Sequence, residues 1–148
     1  MSRMQREKGA GAERAAATLL RIVHPECSRR VSGEEGQGEA LGRDLKGTPG
    51  LCVQVKDEAA PRPLAALDEA IAAARPDEMP MAMVRQSRRG ASTPIRVVLT
   101  LPDALLLLDL YRRWGEVMPR RREELRAELG QRLEQLSHDH PDLKARIG

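Results

Sequence analysis

Apolar residues recur at helical spacing near the start of the chain. Residues 9 to 23, GAGAERAAATLLRIV, carry them three or four positions apart, which predicts an amphipathic helix. The predicted apolar stripe consists of Ala12, Ala16, Leu19, Leu20 and Val23. Glu13 lies one turn before Ala16, so its carboxylate is expected on or beside the face that becomes buried.

The pattern changes from helical spacing to alternation in the middle of the chain. Residues 24 to 42 are rich in Gly and polar side chains and predict a loop, with a strand around Arg29 to Ser32. In LCVQVK, residues 51 to 56, apolar Leu51, Val53 and Val55 alternate with Cys52, Gln54 and Lys56, which predicts a strand with the last three on one face. The preceding GTPG has turn chemistry, so the segment bearing Asp44 is expected to fold back beside this strand as a hairpin.

The second half of the chain predicts a helix, two strands and two more helices. PRPLAALDEAIAAA predicts a helix starting at Pro63 and stopped by Pro76. Its predicted apolar stripe consists of Leu64, Leu67, Ile71 and Ala74. MPMAMVRQ and IRVVLTL predict strands, and a helix begins near Pro102. The charged stretch after Gly115 and Pro119 predicts a final helix with Leu125, Leu129, Leu133 and Leu136 on one seam.

This order of elements predicts an α/β fold in which helices flank a small mixed sheet. With 148 residues, the chain has room for one compact domain and a short extension. We place the domain at residues 1–114 and a charged helical C-terminal extension at residues 115–148.

Composition excludes some nucleic-acid binders and leaves others open. Hydrophobic residues make up 41% and charged residues 32%, as in ordinary globular proteins. Aromatic residues are only 1%, which argues against RNA-recognition sheets and single-strand-binding barrels, since both stack bases on aromatic rings. The net charge of +3 is compatible with a DNA partner. The arginines that we expect at DNA phosphates are Arg29, Arg30, Arg85, Arg88 and Arg89, and the alternative for each arginine pair is a solvated charge cluster.

Cysteine usage and hydropathy bear on the compartment. Cys27 and Cys52 form neither a disulfide framework nor a metal-ligand spacing, so we expect both to be reduced, in the cytoplasm. No apolar run approaches the roughly 20 residues that span a bilayer, so a membrane partner is not expected. His138 and His140 lie in a polar tail without further ligands and are expected to be surface histidines.

The residues around the predicted hairpin match the needs of phosphodiester hydrolysis. That reaction requires a shielded phosphate, an activated water and a stabilised leaving oxygen, and a divalent cation on oxygen ligands supplies all three. Asp44 is the principal candidate ligand, with Gln54 and the carbonyl of Val55 as secondary ones. The Lys56 ammonium would orient the attacking water or the phosphate, and Glu13 would close the site from the first helix.

Each of these residues alone has a simpler explanation. Glu13 is then an exposed helix carboxylate, Asp44 a turn residue and Lys56 a lysine guarding a sheet edge. Taken jointly, in the predicted context, they favour the functional interpretation, because a motif is supported by its structural context.

KGAGAERAAATLL, the Gly-rich loop, RDLKGTPGLCVQVK, the following helix and the two later strands together resemble the PD-(D/E)xK nuclease superfamily. Within it, the chain is most similar to the small Holliday-junction-resolvase-like endonucleases common in bacteriophages. The resemblance spans roughly Lys8 to Trp114. It implies a restriction-endonuclease-like core, a homodimer, Mg²⁺ or Mn²⁺ as cofactor, branched or duplex DNA as substrate, and the host cytoplasm as location if a phage encodes the chain.

The resemblance assigns roles to four positions, and at one of them the chain lacks the residue type of the family. The helix-one glutamate of the family matches Glu13, its metal-binding aspartate Asp44 and its catalytic lysine Lys56, whereas its second acidic ligand falls on Gln54. A glutamine offers a neutral oxygen but no charge, and it cannot act as a base. Glu58, on the same strand face, is a candidate substitute.

Three functions therefore stay open. The first is a metal-dependent DNA endonuclease, and the second is a catalytically impaired DNA-binding or structural protein on a nuclease fold. The third is a helical interaction protein whose C-terminal tail is the functional part.

Overall fold

The computed structural model describes residues 3–30, 43–87 and 93–141, and its elements follow the predicted order. The helices are α1 (Arg3–Leu20), α2 (Pro63–Ala73), α3 (Leu101–Val117) and α4 (Pro119–Asp139). The strands are β1 (Ser28–Arg29), β2 (Leu45–Lys46), β3 (Leu51–Glu58), β4 (Met79–Gln86) and β5 (Arg96–Leu99). The protein is thus a mixed α/β fold with a small mixed sheet flanked by helices, as predicted.

The main sheet has three strands in the order β3-β4-β5. β3 and β4 are parallel, with Gln54 opposite Ala82 and Lys56 opposite Val84, and α2 makes the crossover between them. β5 runs antiparallel to β4. β1 and β2 form a separate two-stranded antiparallel ladder. Because β4 is central, the outer edge of β3 is left to be covered by the loop that precedes it.

Two small apolar cores lie on opposite faces of the main sheet. On one face, α1 packs Ala16 and Ala17 against Val53 and Met83. On the other face, α2 packs Ala66 and Leu67 against Ala82 and Val84. Alternation along β3 therefore sends Val53 toward α1, and Gln54 and Lys56 toward α2.

α1 differs from its predicted bounds at both ends. It begins at Arg3, where polar residues of good helix propensity give no apolar period to detect. It ends at Leu20 rather than residue 23, and Val23 is 58% exposed instead of lying on the buried stripe. The residue before a proline avoids helical backbone angles, and His24 precedes Pro25, so the chain turns before it.

The predicted stripe of α2 is largely wrong. Of its members, only Leu67 is buried, whereas Leu64 is 72% and Ile71 46% exposed. The buried side chains are Ala66, Leu67, Ala70 and Ala73. Alanines let this helix approach the sheet closely, so small size decided the buried face more than hydrophobicity.

The predicted fold-back of the Asp44 segment is confirmed. The turn at residues 47 to 50 is closed by a 3.0 Å bond from the Leu51 amide to the Thr48 carbonyl. Gly47 and Gly50 adopt φ angles of 73° and 77°, in the left-handed region that glycine tolerates best. The ladder of β2, however, is made with β1 rather than with β3.

The C-terminal third consists of two helices that meet the core sparingly. α3 starts at the Thr100 cap, whose hydroxyl accepts from the Asp103 amide at 3.2 Å. It runs through the predicted domain boundary after residue 114, and the helical path breaks only at Met118. α3 packs mainly on α4, whose Arg132 donates to the Ile22 carbonyl at 3.1 Å. None of the described helices is long and apolar enough to cross a membrane.

Gly47→Ala should destabilise the protein more than Gly50→Ala. Both replacements force alanine into a left-handed conformation, which costs on the order of 1 kcal/mol. Only at position 47 would the new Cβ also collide with the Glu26 carbonyl oxygen, whereas the space beside Gly50 is open. Urea denaturation should give a loss for Gly47→Ala larger by about 2 kcal/mol or more. Equal losses would mean that the turn yields without strain.

Candidate functional site

Asp44 is fixed to the outer edge of β3 by two hydrogen bonds. Its amide donates to the Val53 carbonyl at 3.1 Å, and its carboxylate Oδ2 accepts from the Val55 amide at 2.7 Å. The carbonyl and the N–H of one strand residue point to the same edge, so the Val55 carbonyl also faces the Asp44 side. The fold therefore brings Asp44 and the Val55 carbonyl, two of the predicted metal ligands, to the same edge of β3.

A buried ion pair holds the segment just before Asp44. The Arg43 guanidinium contacts both carboxylate oxygens of Glu78, with Nη1 to Oε1 at 2.6 Å, and it donates to the Ala73 carbonyl at 3.2 Å. Burial opposes ionisation of Glu78, but the bonds from Arg43 and from the Arg75 amide lower the pKa of its carboxyl below the ordinary value. Asp44 is thus anchored from both sides.

Lys56 lies on the α2 face of β3 and meets a carboxylate that the sequence analysis did not identify. Its Nζ is 2.6 Å from Oε2 of Glu69, a residue of α2 whose side chain is about half exposed. In the sequence, Glu69 is one of the polar residues of the second predicted helix, and this position says nothing about the sheet beneath it. The structure adds Glu69 to the site because the crossover helix lies directly on the lysine.

Asp44 sits at the centre of the charges in this region. Burial is the main cause that raises the pKa of its carboxyl to about 6, and the carboxylates of Glu13 and Glu69 raise it further. The Val55 amide and the Lys56 ammonium oppose this shift without cancelling it. Glu13, Lys56 and Glu69 are therefore all close enough to Asp44 to act on its ionisation. The environment of Asp44 is short of positive charge.

Gln54 is buried, with only 2% of its surface exposed. It points to the α2 side like Lys56, as the alternation predicted. A carboxylate in this position would be desolvated beside Asp44, whereas the amide adds no charge. Because the Gln54 side chain is neutral, it adds no repulsion to a site that already carries several carboxylates.

Glu13 lies close to Asp44 but forms an ion pair with Arg29. Its carboxylate accepts from Nε of Arg29 on β1, and both side chains are roughly a quarter exposed. Of the arginines predicted to bind DNA, Arg29 is thus engaged with Glu13. Arg30 donates its backbone N–H to the Asp44 carbonyl at 3.0 Å.

Three further arginines were predicted to contact DNA: Arg85, Arg88 and Arg89. Arg85 on β4 pairs with Asp57 on the α1 side of β3, where the aspartate side chain is only 2% exposed. This arginine already has a structural role, so its assignment to DNA is weakened. Arg88 and Arg89 lie outside the described residues.

An open cleft of about 490 Å³ lies beside the anchored loop. Its lining includes the turn at residues 47 to 49, the Arg43–Glu78 ion pair, and Arg30 and Lys46, which carry its excess positive charge. Lys46 is exposed and was not among the predicted DNA contacts. Its place on β2, two residues after Asp44, is the signal that could have identified it.

The donor set at Asp44 has the chemistry of a magnesium site. The donors at the edge of β3 are oxygens, namely the second carboxylate oxygen of Asp44 and the Val55 carbonyl, and hard cations prefer oxygen. Within residues 3–30, 43–87 and 93–141, no three His, Cys, Asp or Glu side chains converge closely enough to hold a metal. Magnesium typically uses one or two carboxylates and keeps several waters, so this set fits it.

Glu58, the candidate substitute ligand, is exposed at the end of β3, and its carbonyl accepts from the Ser87 amide at 2.8 Å. Glu69 is therefore better placed than Glu58 to supply a carboxylate at Lys56. Cys27 and Cys52 are free and buried, and burial raises the pKa of both thiols. His138 and His140 are exposed, as predicted.

These features define a mixed α/β protein with a carboxylate and lysine cluster at the edge strand of its sheet. Comparison with known proteins assigns it to no family, because no family model, curated protein or solved structure matches the chain. The interpretation of the site therefore rests on its residues.

The stability of the metal-free protein should fall with rising pH because of Asp44. Its pKa in the folded state, about 6, lies above the ordinary 3.8, so the folded state holds this proton more tightly. The stabilisation is complete below about pH 4 and is lost as the pH rises through 6, on the order of 2 kcal/mol by about pH 8.

Asp44→Asn keeps an acceptor for the Val55 amide but removes the titration. Urea denaturation with a chelator present should show the loss between about pH 4 and pH 8 in the native chain and a flatter profile in the variant. The same slope in both proteins would rule out Asp44 as its source.

Proposed function

We propose that the protein is a metal-dependent DNA endonuclease, built on a restriction-endonuclease-like core and resembling Holliday junction resolvases. The observation that carries the proposal is the meeting of Asp44 with the backbone of Val55 at the edge of β3, one residue before Lys56. An acidic oxygen and a strand carbonyl at the edge of β3, with a lysine ammonium on the face of the same strand, are groups that phosphodiester hydrolysis needs.

Magnesium would be held by Asp44, the Val55 carbonyl and the Gln54 amide oxygen. When bound, it supplies charge shielding at the phosphate and lowers the pKa of a coordinated water. The raised pKa of Asp44 supports this choice, because a buried carboxylate near other carboxylates gains from an added cation. Manganese prefers the same oxygen donors and would substitute.

Lys56 is the residue that would act on substrate. Its ammonium donates hydrogen bonds to the attacking water or to a phosphate oxygen, while the water's oxygen bonds to phosphorus and the bond to the leaving oxygen breaks. The proton lost by the water passes to solvent, and the leaving oxygen is protonated in turn. Glu69 is a positioning residue, since it fixes the lysine ammonium from α2.

DNA would lie over the basic cleft next to the site. The cleft is lined by Arg30 and Lys46, on either side of Asp44 in sequence, so phosphates bound there would lead to the scissile bond. Such contacts position the backbone without reading sequence. Branched DNA as substrate and a symmetric homodimer are further parts of the proposal.

A second candidate function is a DNA-binding protein that has lost cleavage. Gln54, which is buried, favours this second function. It places a neutral amide where a carboxylate was expected, and this weakens the affinity for a metal ion. The basic cleft would serve this function equally well.

Cleavage of a labelled four-way junction and a matched duplex with Mg²⁺ or Mn²⁺ tests the proposal. The native chain should cut, and Lys56→Ala should reduce the rate by about 100-fold or more while DNA binding is kept. Lys46→Ala should instead weaken binding and make it less sensitive to salt. A native chain that binds junctions without cutting, and that gains cleavage on Gln54→Glu, would favour the second function. Neither cutting nor binding would exclude both.

Glu69→Gln should slow cleavage at saturating DNA by about tenfold and leave the concentration for half-saturation unchanged. The amide keeps the shape of Glu69 but removes the charge that holds the ammonium of Lys56. Asp68→Asn is the matched control, since Asp68 is exposed on the same helix. Equal rates for the two variants would remove Glu69 from the site.

A further inference from the structure

A second cleft, of about 450 Å³, lies beside the start of α2 and the strand β5. Its lining includes three prolines, Pro61, Pro63 and Pro94, and two valines of the α2-side core, Val84 and Val98. The cleft therefore opens on the α2 face of the sheet and has an apolar base. It shares no lining residue with the cleft beside Asp44. Its volume is that of clefts that take a ligand rather than a few waters.

β5 gives this cleft an open strand edge. It is the last strand of the main sheet, so one side of its backbone has no strand partner in the part of the chain that the structure describes. On such an edge, the N–H and C=O groups of every second residue point outward and can pair with an added strand. Arg96 and Val98 of β5 both line the cleft, since alternation turns both side chains to the α2 face. An extended segment beside β5 would thus place alternate side chains next to the cleft.

The charge of the second cleft is positive. Arg96 lines it, and Arg62 lies between two of its prolines in the chain. Both arginines are exposed, and neither forms an ion pair with another residue that the structure describes. No described carboxylate lines the cleft, although Glu58 lies opposite Gln86 in the register of β3 and β4. Guanidinium groups beside an apolar base fit a ligand that carries carboxylates, because charge-assisted hydrogen bonds are stronger than neutral ones.

We propose that the second cleft and the open edge of β5 form a binding site for an extended acidic peptide of a partner protein, which adds to the sheet as a strand. Carboxylates of the peptide pair with Arg96 and Arg62, and an apolar side chain on the same face of the peptide covers Val84 and Val98. A DNA backbone would use the arginines but would leave the apolar base and the strand edge without partners. This proposal does not depend on the nuclease function.

Fluorescence anisotropy with a labelled octapeptide and the full chain tests the site. The odd positions of the peptide alternate glutamate and valine, and its even positions are threonine, so one face carries both charge and apolar groups. The native chain should bind it with a Kd below about 100 µM, and the same peptide with lysine for glutamate should not bind. Arg96→Glu should weaken binding by about tenfold or more, because it opposes like charges. Arg120→Glu is the matched control, since Arg120 is an exposed arginine of α4, and it should bind like the native chain.

Methylation of the peptide's backbone nitrogens tests strand addition. Successive N–H groups of a strand point to opposite edges, so methylation of the odd or of the even positions removes the donors of one edge only. One of the two methylated peptides should lose binding, and the other should keep it. Equal effects of the two peptides would overturn the proposal, as would no binding of the glutamate peptide or equal effects of Arg96→Glu and Arg120→Glu. Binding of duplex DNA that is lost in Arg96→Glu, with no peptide binding, would overturn it in favour of a DNA surface.

Discussion

The hydrogen bond from the Val55 amide to the Asp44 carboxylate is the contact on which the candidate site depends. β3 is the outer strand of a three-stranded sheet, so its free edge needs partners for its backbone groups. The chain meets this need with a side chain as well as a backbone amide, which places a carboxylate beside the strand that carries Lys56. One contact thus closes the sheet edge and assembles the acidic end of the site.

The electrostatic balance of the site explains how a glutamine fits where a carboxylate was expected. Asp44 already feels Glu13 and Glu69, and its raised pKa shows that Lys56 does not compensate fully. Another buried carboxylate at position 54 would add repulsion and desolvation in the absence of a cation. Gln54 therefore favours the stability of the metal-free fold, at the expected cost of weaker metal affinity.

The sequence alone predicted the helices and strands that have a regular spacing of apolar residues, but it did not predict the contacts between these elements. The alternation in β3 placed Gln54 and Lys56 on one face correctly, and the turn glycines indicated the fold-back of Asp44. Leu64 and Ile71 looked like core residues, but the close approach of α2 to the sheet selects alanines for its inner face. Glu69 could not be found, because its partnership with Lys56 arises only when the crossover helix is laid on β3.

The C-terminal helices are tied to the core at the turn after α1. Arg132 of α4 donates to the Ile22 carbonyl there, while α3 packs mainly on α4. Asp44, Lys56 and Glu69 lie instead on the loop before β3, on β3 itself and on the crossover helix α2. The candidate site is therefore assembled by β3 and the elements that pack on it, and its chemistry depends on those contacts rather than on the C-terminal helices.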